Sequence, residues 1–178
     1  MAHDYSIELG FDYDSEQKDT DYDGFLEMAC AEGDKLSSLD QLKKDGNLTF
    51  VIYDVSEAPH AGTGTPTSLT VTFARADDSS PADSPFSSSA LTFTTFHDRG
   101  TKGSSEFGDR PSWYAQSSTD ADTNTNDDDN DKPTKIDFVN TGNFFVTVAL
   151  DVDFPDPANP GSTITKTFGQ DPRMDVDT

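Results

Sequence analysis

Residues 19–24 read DTDYDG and set Asp19, Asp21 and Asp23 at alternate positions ahead of Gly24. A glycine that permits a sharp turn, preceded by alternate carboxylates, can present several hard oxygen donors to one calcium ion, which takes about six to eight. A second acidic concentration, DTNTNDDDND at 122–131, spaces Asp122, Asn126, Asp128, Asn130 and Asp131 so that a single loop could surround a cation. Without a cation, like charges this close repel and keep such a loop extended. Between polar stretches lie Trp113 and Tyr114, in RPSWYAQ, whose rings would suit stacking on a sugar face. The competing reading of Trp113 is a core tryptophan of a β-sandwich. His97, Asp98 and Arg99 could form a polar cluster at a strand end; the competing reading is a lone exposed His97.

Each acidic motif competes with a plainer reading, because the chain holds 28 Asp and 6 Glu against 12 Lys and Arg. In the calcium loop of an EF-hand the twelfth position is a bidentate glutamate. Counted from Asp19, that position is Cys30, and the preceding FDYDSEQK reads as the end of a strand. What survives at 19–24 is a looser calcium loop or a solvated acidic corner. The run 122–131 resembles the acidic loop of small bacterial fucose/mannose lectins, which hold paired calcium ions that contact sugar hydroxyls. Asn126 stands where that family has a carboxylate. An acidic loop without metal is the alternative.

A formal charge of −22 repels nucleic acid and anionic membranes, since binding phosphates needs Lys and Arg to release counterions. Cationic partners, divalent metals and a high-salt host fit such a charge. Asp competes for backbone hydrogen bonds and favours turns, so the bias towards Asp predicts many loops and few long helices. One cysteine, Cys30, excludes an intrachain disulfide. The start, MAHDYSIELG, has neither the basic nor the apolar region of a signal peptide, and no apolar run approaches a membrane-spanning length. A cytoplasmic location is the default expectation, with leaderless secretion left open. HExxH, GxSxG and P-loop motifs are absent. GTGTP at 62–66 reads as a turn.

Apolar and polar residues alternate along most of the chain, the signature of half-buried strands. Tyr5, Ile7, Leu9 and Phe11 share one face, as do Leu69, Val71 and Phe73, and again Val146, Val148, Leu150, Val152 and Phe154. NLTFVIYDV at 47–55 reads as a central strand. NTGN at 140–143 reads as a hairpin turn. Leu36, Leu39 and Leu42, with Ser38 and Gln41 as a capping box, predict a short helical insert around 25–45. Loops at 76–89 and 117–131 are too polar to enter a core and are expected to be mobile. The prediction is a single domain over 1–178: an all-β, two-sheet antiparallel β-sandwich, Ig-like or jelly-roll-like.

The C-terminal part, FFVTVALDVDF through TITKTFGQDPRMDV, has a long strand, a short return strand and a closing Asp171–Pro172 with Val176. This stretch resembles the ends of bacterial inclusion-body proteins of the PixA/AidA kind, and of a small family of unknown function named for its Asp-Pro motifs. The resemblance implies a β-sandwich and an association with glycans. Three functions follow as expectations. The first is a non-enzymatic binding module for a carbohydrate or a cationic partner. Calcium would assist it through Asp19, Asp21, Asp23, Asp122, Asn126, Asp128, Asn130 and Asp131, with Trp113 and Tyr114 touching the ligand. The second is a structural protein that associates with itself through edge strands. The third, weaker, is a hydrolase using an Asp pair.

Overall fold

The computed structural model describes residues 3–15, 22–32, 34–36, 42–76, 84–103, 106–116 and 133–178. In chain order they form β1 (Asp4–Phe11), β2 (Gly24–Phe25), β3 (Glu27–Glu32), β4 (Asp34–Leu36), β5 (Leu42–Lys43), β6 (Asn47–Asp54) and β7 (Thr65–Arg75). There follow β8 (Ala90–Phe93), β9 (Thr95–Lys102), β10 (Arg110–Gln116), β11 (Ile136–Asp137), β12 (Gly142–Pro155), β13 (Thr163–Gln170) and β14 (Arg173–Asp177). The protein is an all-β sandwich of two sheets. No helix among the described residues is long and apolar enough to cross a membrane.

The first sheet runs β4-β3-β1-β6-β10-β9, with β11 also against β6. Strict alternation turns Tyr5, Ile7, Leu9 and Phe11 inward, and all four are buried. β6 is buried on both faces from Leu48 to Asp54, as its near-continuous apolar run requires of a central strand. The second sheet is built on β12, whose Phe144, Val146, Val148, Leu150, Val152 and Phe154 all face the core. One edge of β12 carries β7 and then β8, and the other carries β13 and β14.

β13 and β14 behave as a single strand interrupted once. Val148 faces Gln170 and Phe145 faces Arg173, so the register continues unchanged across Asp171–Pro172. Pro172 has no N–H to give to the ladder, yet its carbonyl accepts from Val146 N at 3.0 Å. The Asp-Pro motif therefore breaks half of one hydrogen-bonded pair and keeps the strand on course.

Aromatic rings join the sheets. Phe11 of β1 lies 5.9 Å from Phe154 and 5.8 Å from Phe168, centroid to centroid, and Phe50 of β6 lies 5.6 Å from Phe93 of β8. A second run, Phe73–Phe86–Phe138–Tyr5, closes the other end of the core. Such edge-to-face and offset contacts add to the large apolar area that each ring removes from water.

Four expectations about local structure change. The described part of the 76–89 loop enters the core, with Phe86 buried between Phe73 and Phe138, because one large ring outweighs its polar neighbours. The described part of 25–45 is strand, not helix: β3 adds to the free edge of β1 with six consecutive antiparallel pairs, from Tyr5–Glu32 to Gly10–Glu27. That edge must satisfy its N–H and C=O groups, and doing so overrides the weak helical spacing of the leucines. Leu42 is buried in β5, while Ser38, Leu39 and Gln41 lie outside the described residues. The sheets are also mixed, since β1–β6, β2–β13 and β5–β14 pair in parallel. The stretch between β1 and β6 supplies the long crossover that parallel pairing demands. Finally, residues 140–143 make no hairpin. They carry the chain from β11 in the first sheet to β12 in the second, and Gly142 takes φ +135° beside the Arg75 guanidinium.

Replacing Phe11 by alanine should lower unfolding free energy by about 3–5 kcal/mol. Phe145, 48% exposed on the outer face of the second sheet, should cost less than about 1 kcal/mol when replaced by alanine. Urea denaturation of the two variants beside the wild type checks both values.

Candidate ligand-binding face

Strand alternation separates the two aromatic candidates. Trp113 faces Ile52 in the β10–β6 register and turns inward, stacked on Phe11 at 6.2 Å. Tyr114 faces Val51 and turns to the outer face of the first sheet. Neighbours on one strand point to opposite faces, so these rings cannot flank one ligand. Of the acidic candidates, Asp23 is described. Its Oδ2 accepts from Thr167 N at 2.8 Å, and its own N–H donates to Thr167 O at 2.7 Å. This reciprocal pair starts the β2–β13 contact. Asp19, Asp21, Asp122, Asn126, Asp128, Asn130 and Asp131 lie outside the described residues. Among the described residues, no group of three or more His, Cys, Asp or Glu is arranged to hold a metal ion.

The outer face around Tyr114 is built by β6, β9 and β10. Tyr53, Ser112 and Val51 sit on it, and all three are buried although they face away from the main core. Phe107 provides part of the cover, with its ring 5.5 Å from that of Tyr53. Gly10 makes room for it: a Cβ there would stand 2.9 Å from the Phe107 ring.

Arg99 occupies the centre of this face because of a β-bulge. Ser112 pairs with Gly100 but Trp113 pairs with Asp98, leaving Arg99 as the extra residue on β9. Gly100, at φ +69°, accommodates the bulge, and its N–H donates to Asp98 Oδ1 at 2.7 Å. A bulge bends its strand and re-aims the side chain it carries. Here Arg99 Nη1 donates to Tyr53 Oη at 3.0 Å and to Ser112 Oγ at 3.4 Å. Its guanidinium carbon lies 4.5 Å from the centre of the Tyr114 ring. All of these partners are neutral. His97 stands opposite Tyr114 across the β9–β10 pair, half-buried.

Sequence reasoning singled out Tyr114 and noted His97–Asp98–Arg99, but it missed Tyr53, Ser112 and Phe107. Tyr53 was hidden in an apolar run that reads as core. The signal available for Arg99 was HDRG itself, a charged residue before a glycine inside a strand pattern, which marks a bulge.

Behind the same strands, Asp54 ends β6 and is buried. Its Oδ1 accepts from Ser56 N at 2.9 Å, and its Oδ2 accepts from Gly62 N at 3.1 Å and Gly64 N at 3.4 Å. The carboxylate thus closes the 55–64 loop; of GTGTP, residues 62–64 lie in that loop, while Thr65 and Pro66 already begin β7. Burial raises its pKa above the ordinary 3.8, partly offset by these hydrogen bonds. No protein-family model, curated protein or solved structure matches this chain, so the functional reading rests on the geometry above.

Asp54→Ala strands three backbone donors and should cost about 2–3 kcal/mol, read by urea denaturation. The raised value means that the folded protein holds this proton more tightly than the unfolded chain does. Its contribution is full below 3.8 and is lost as pH rises through the folded value. Relative stability should therefore shift towards Asp54→Asn as pH rises above 3.8, and a flat or opposite trend would contradict the assignment.

Proposed function

We propose that this protein is a non-enzymatic binding module that takes a glycan or other small polar ligand on the outer face of the first sheet. The observation carrying this reading is the Arg99 side chain. It is fixed by Tyr53, Ser112 and Tyr114 without using a carboxylate, in a chain with 34 of them. Sites that recognise small ligands combine aromatic surface with a few held polar groups, and this face has that composition. Calcium assistance belongs to the proposal through segments 19–24 and 122–131. Asp23 is its described member, and it sits beside Thr167 at the β13 edge.

Assembly through strand edges draws less support. β9, a long edge among the described residues, carries His97, Asp98, Arg99, Lys102 and a bulge, features that oppose pairing with a second chain. The edges β2 and β5 are two residues each.

Two titrations followed by amide NMR test the reading. A panel of neutral and acidic saccharides should move the amides of Val51, Tyr53, Gly100, Ser112 and Tyr114. A panel that leaves all of them in place would overturn it. Calcium added to EDTA-treated protein should raise the melting temperature and move amides of 19–24 and 122–131 together with Thr167. Unchanged melting and spectra would remove calcium from the proposal.

A further inference from the structure

The outer face of the β9–β10 hairpin gathers three cations. Alternation along β10 puts Arg110 on the same face as Ser112 and Tyr114, and Lys102 stands directly opposite Arg110. Arg99 lies between this pair and Tyr114. Among the described residues, no carboxylate is within ion-pair distance of Arg99, Lys102 or Arg110. Like charges directly opposite each other on a sheet repel, so the Lys102–Arg110 pairing carries a cost that an anion set between them would remove.

The guanidinium of Arg99 indicates where such an anion would sit. Nη1 is committed to Tyr53 and Ser112, and one face of the group lies over Tyr114. Nε and Nη2 have no partner among the described residues, and neither is a buried unsatisfied atom, so this edge reaches solvent. Nε–H and Nη2–H point in parallel and match the two oxygens of a carboxylate, or two oxygens of a phosphate. Arg99 is therefore held at one edge and offered at the other.

Net charge restricts the ligand further. At −22 the field of the whole chain repels polyanions, and it is screened only beyond a Debye length of about 8 Å at physiological salt. A ligand with one anionic group on an otherwise neutral body gains the close contact with Arg99 and suffers least from that field.

We infer that the Nε–Nη2 edge of Arg99, flanked by Lys102 and Arg110, binds the single carboxylate or phosphate group of a small ligand with a neutral polar body. The inference deepens the binding-face reading and rests on it. Its test is a titration of the full chain with glucuronate, glucose and inorganic phosphate, followed at the Arg99 Nε–Hε resonance and at the Gly100 and Ser112 amides. Glucuronate should move all three and glucose none. A response to phosphate as strong as that to glucuronate assigns the site to the oxyanion alone, whereas a stronger response to glucuronate assigns a role to the sugar body; either supports the inference. Arg99→Lys keeps the charge but loses the paired donors, and should weaken glucuronate binding about tenfold or more. Unchanged amides of Leu9 and Leu150, buried in the core, would show that this variant keeps its fold. If the variant unfolds, Lys102→Gln and Arg110→Gln provide the second measure and should each weaken binding. If glucose or another neutral saccharide moves these amides as much as glucuronate, the anion inference fails while the binding face stands. If no probe moves them, both fail.

Discussion

Phe11 sets the geometry on which the rest of this sandwich depends. Its ring meets Phe154 and Phe168 of the opposite sheet and Trp113 of its own. Because side chains alternate with period two, placing Phe11 inward fixes the face of every residue in β1. The β1–β6 register then sends Leu48, Phe50 and Ile52 to the core and Thr49, Val51 and Tyr53 to the other side. β10 inherits the same division from β6, which is why Trp113 is a core residue and Tyr114 is not. The face proposed to bind ligand is thus a consequence of packing on the opposite side of the same strands.

Charge is managed in an unusual way for so acidic a chain. Several cations rest on aromatic rings: Arg99 on Tyr114, Lys166 on Tyr13, Arg173 on Phe145 and Arg75 on Phe144. The Lys166 contact is the tightest, 3.8 Å from ring centre, on a tyrosine whose ring also stacks with His60 at 3.6 Å. Some carboxylates meet lysines at the surface, Asp177 with Lys43 and Asp4 with Lys135, but others are met by neutral donors. Asp151 and Asp153 accept from the hydroxyls of Thr167 and Thr165 across the β12–β13 pair, and Asp54 accepts from backbone N–H groups. The alternating DVD of β12 and TKT of β13 make this possible because the antiparallel register sets them opposite each other. Where acids are satisfied this way, an arginine can be fixed by rings and hydroxyls and still offer an edge to solvent.

Much of the fold was legible in the chain because it depends on local periodicity. The inward residues of β1, β7 and β12 were each readable from alternation alone, and all are buried. Less legible was whatever depended on a distant partner. The leucines of 25–45 carry a helical spacing, but the open edge of β1 takes Glu27–Glu32 as a strand because six peptide pairs outweigh a weak local preference. NTGN has the composition of a hairpin turn, yet its flanking strands belong to different sheets. The proposed binding face divides in the same way. Tyr114 was visible as an aromatic beside polar sequence, whereas Tyr53 came beside it through a strand far away in the chain, and Ser112, two positions before Tyr114 on β10, gained its role from the Arg99 bulge.

By itself, then, the sequence determined an all-β chain, the composition of its core faces, the exclusion of an intrachain disulfide and a field hostile to nucleic acid. These follow from residue type and spacing, which act over a few positions or over the whole molecule. Tertiary structure alone decided which strands pair in parallel, which side of β10 meets the core, and that a one-residue bulge turns Arg99 onto Tyr53, Ser112 and Tyr114. The reason is physical: strand pairing is chosen by the backbone groups left unsatisfied elsewhere in the fold, and no local pattern carries that information.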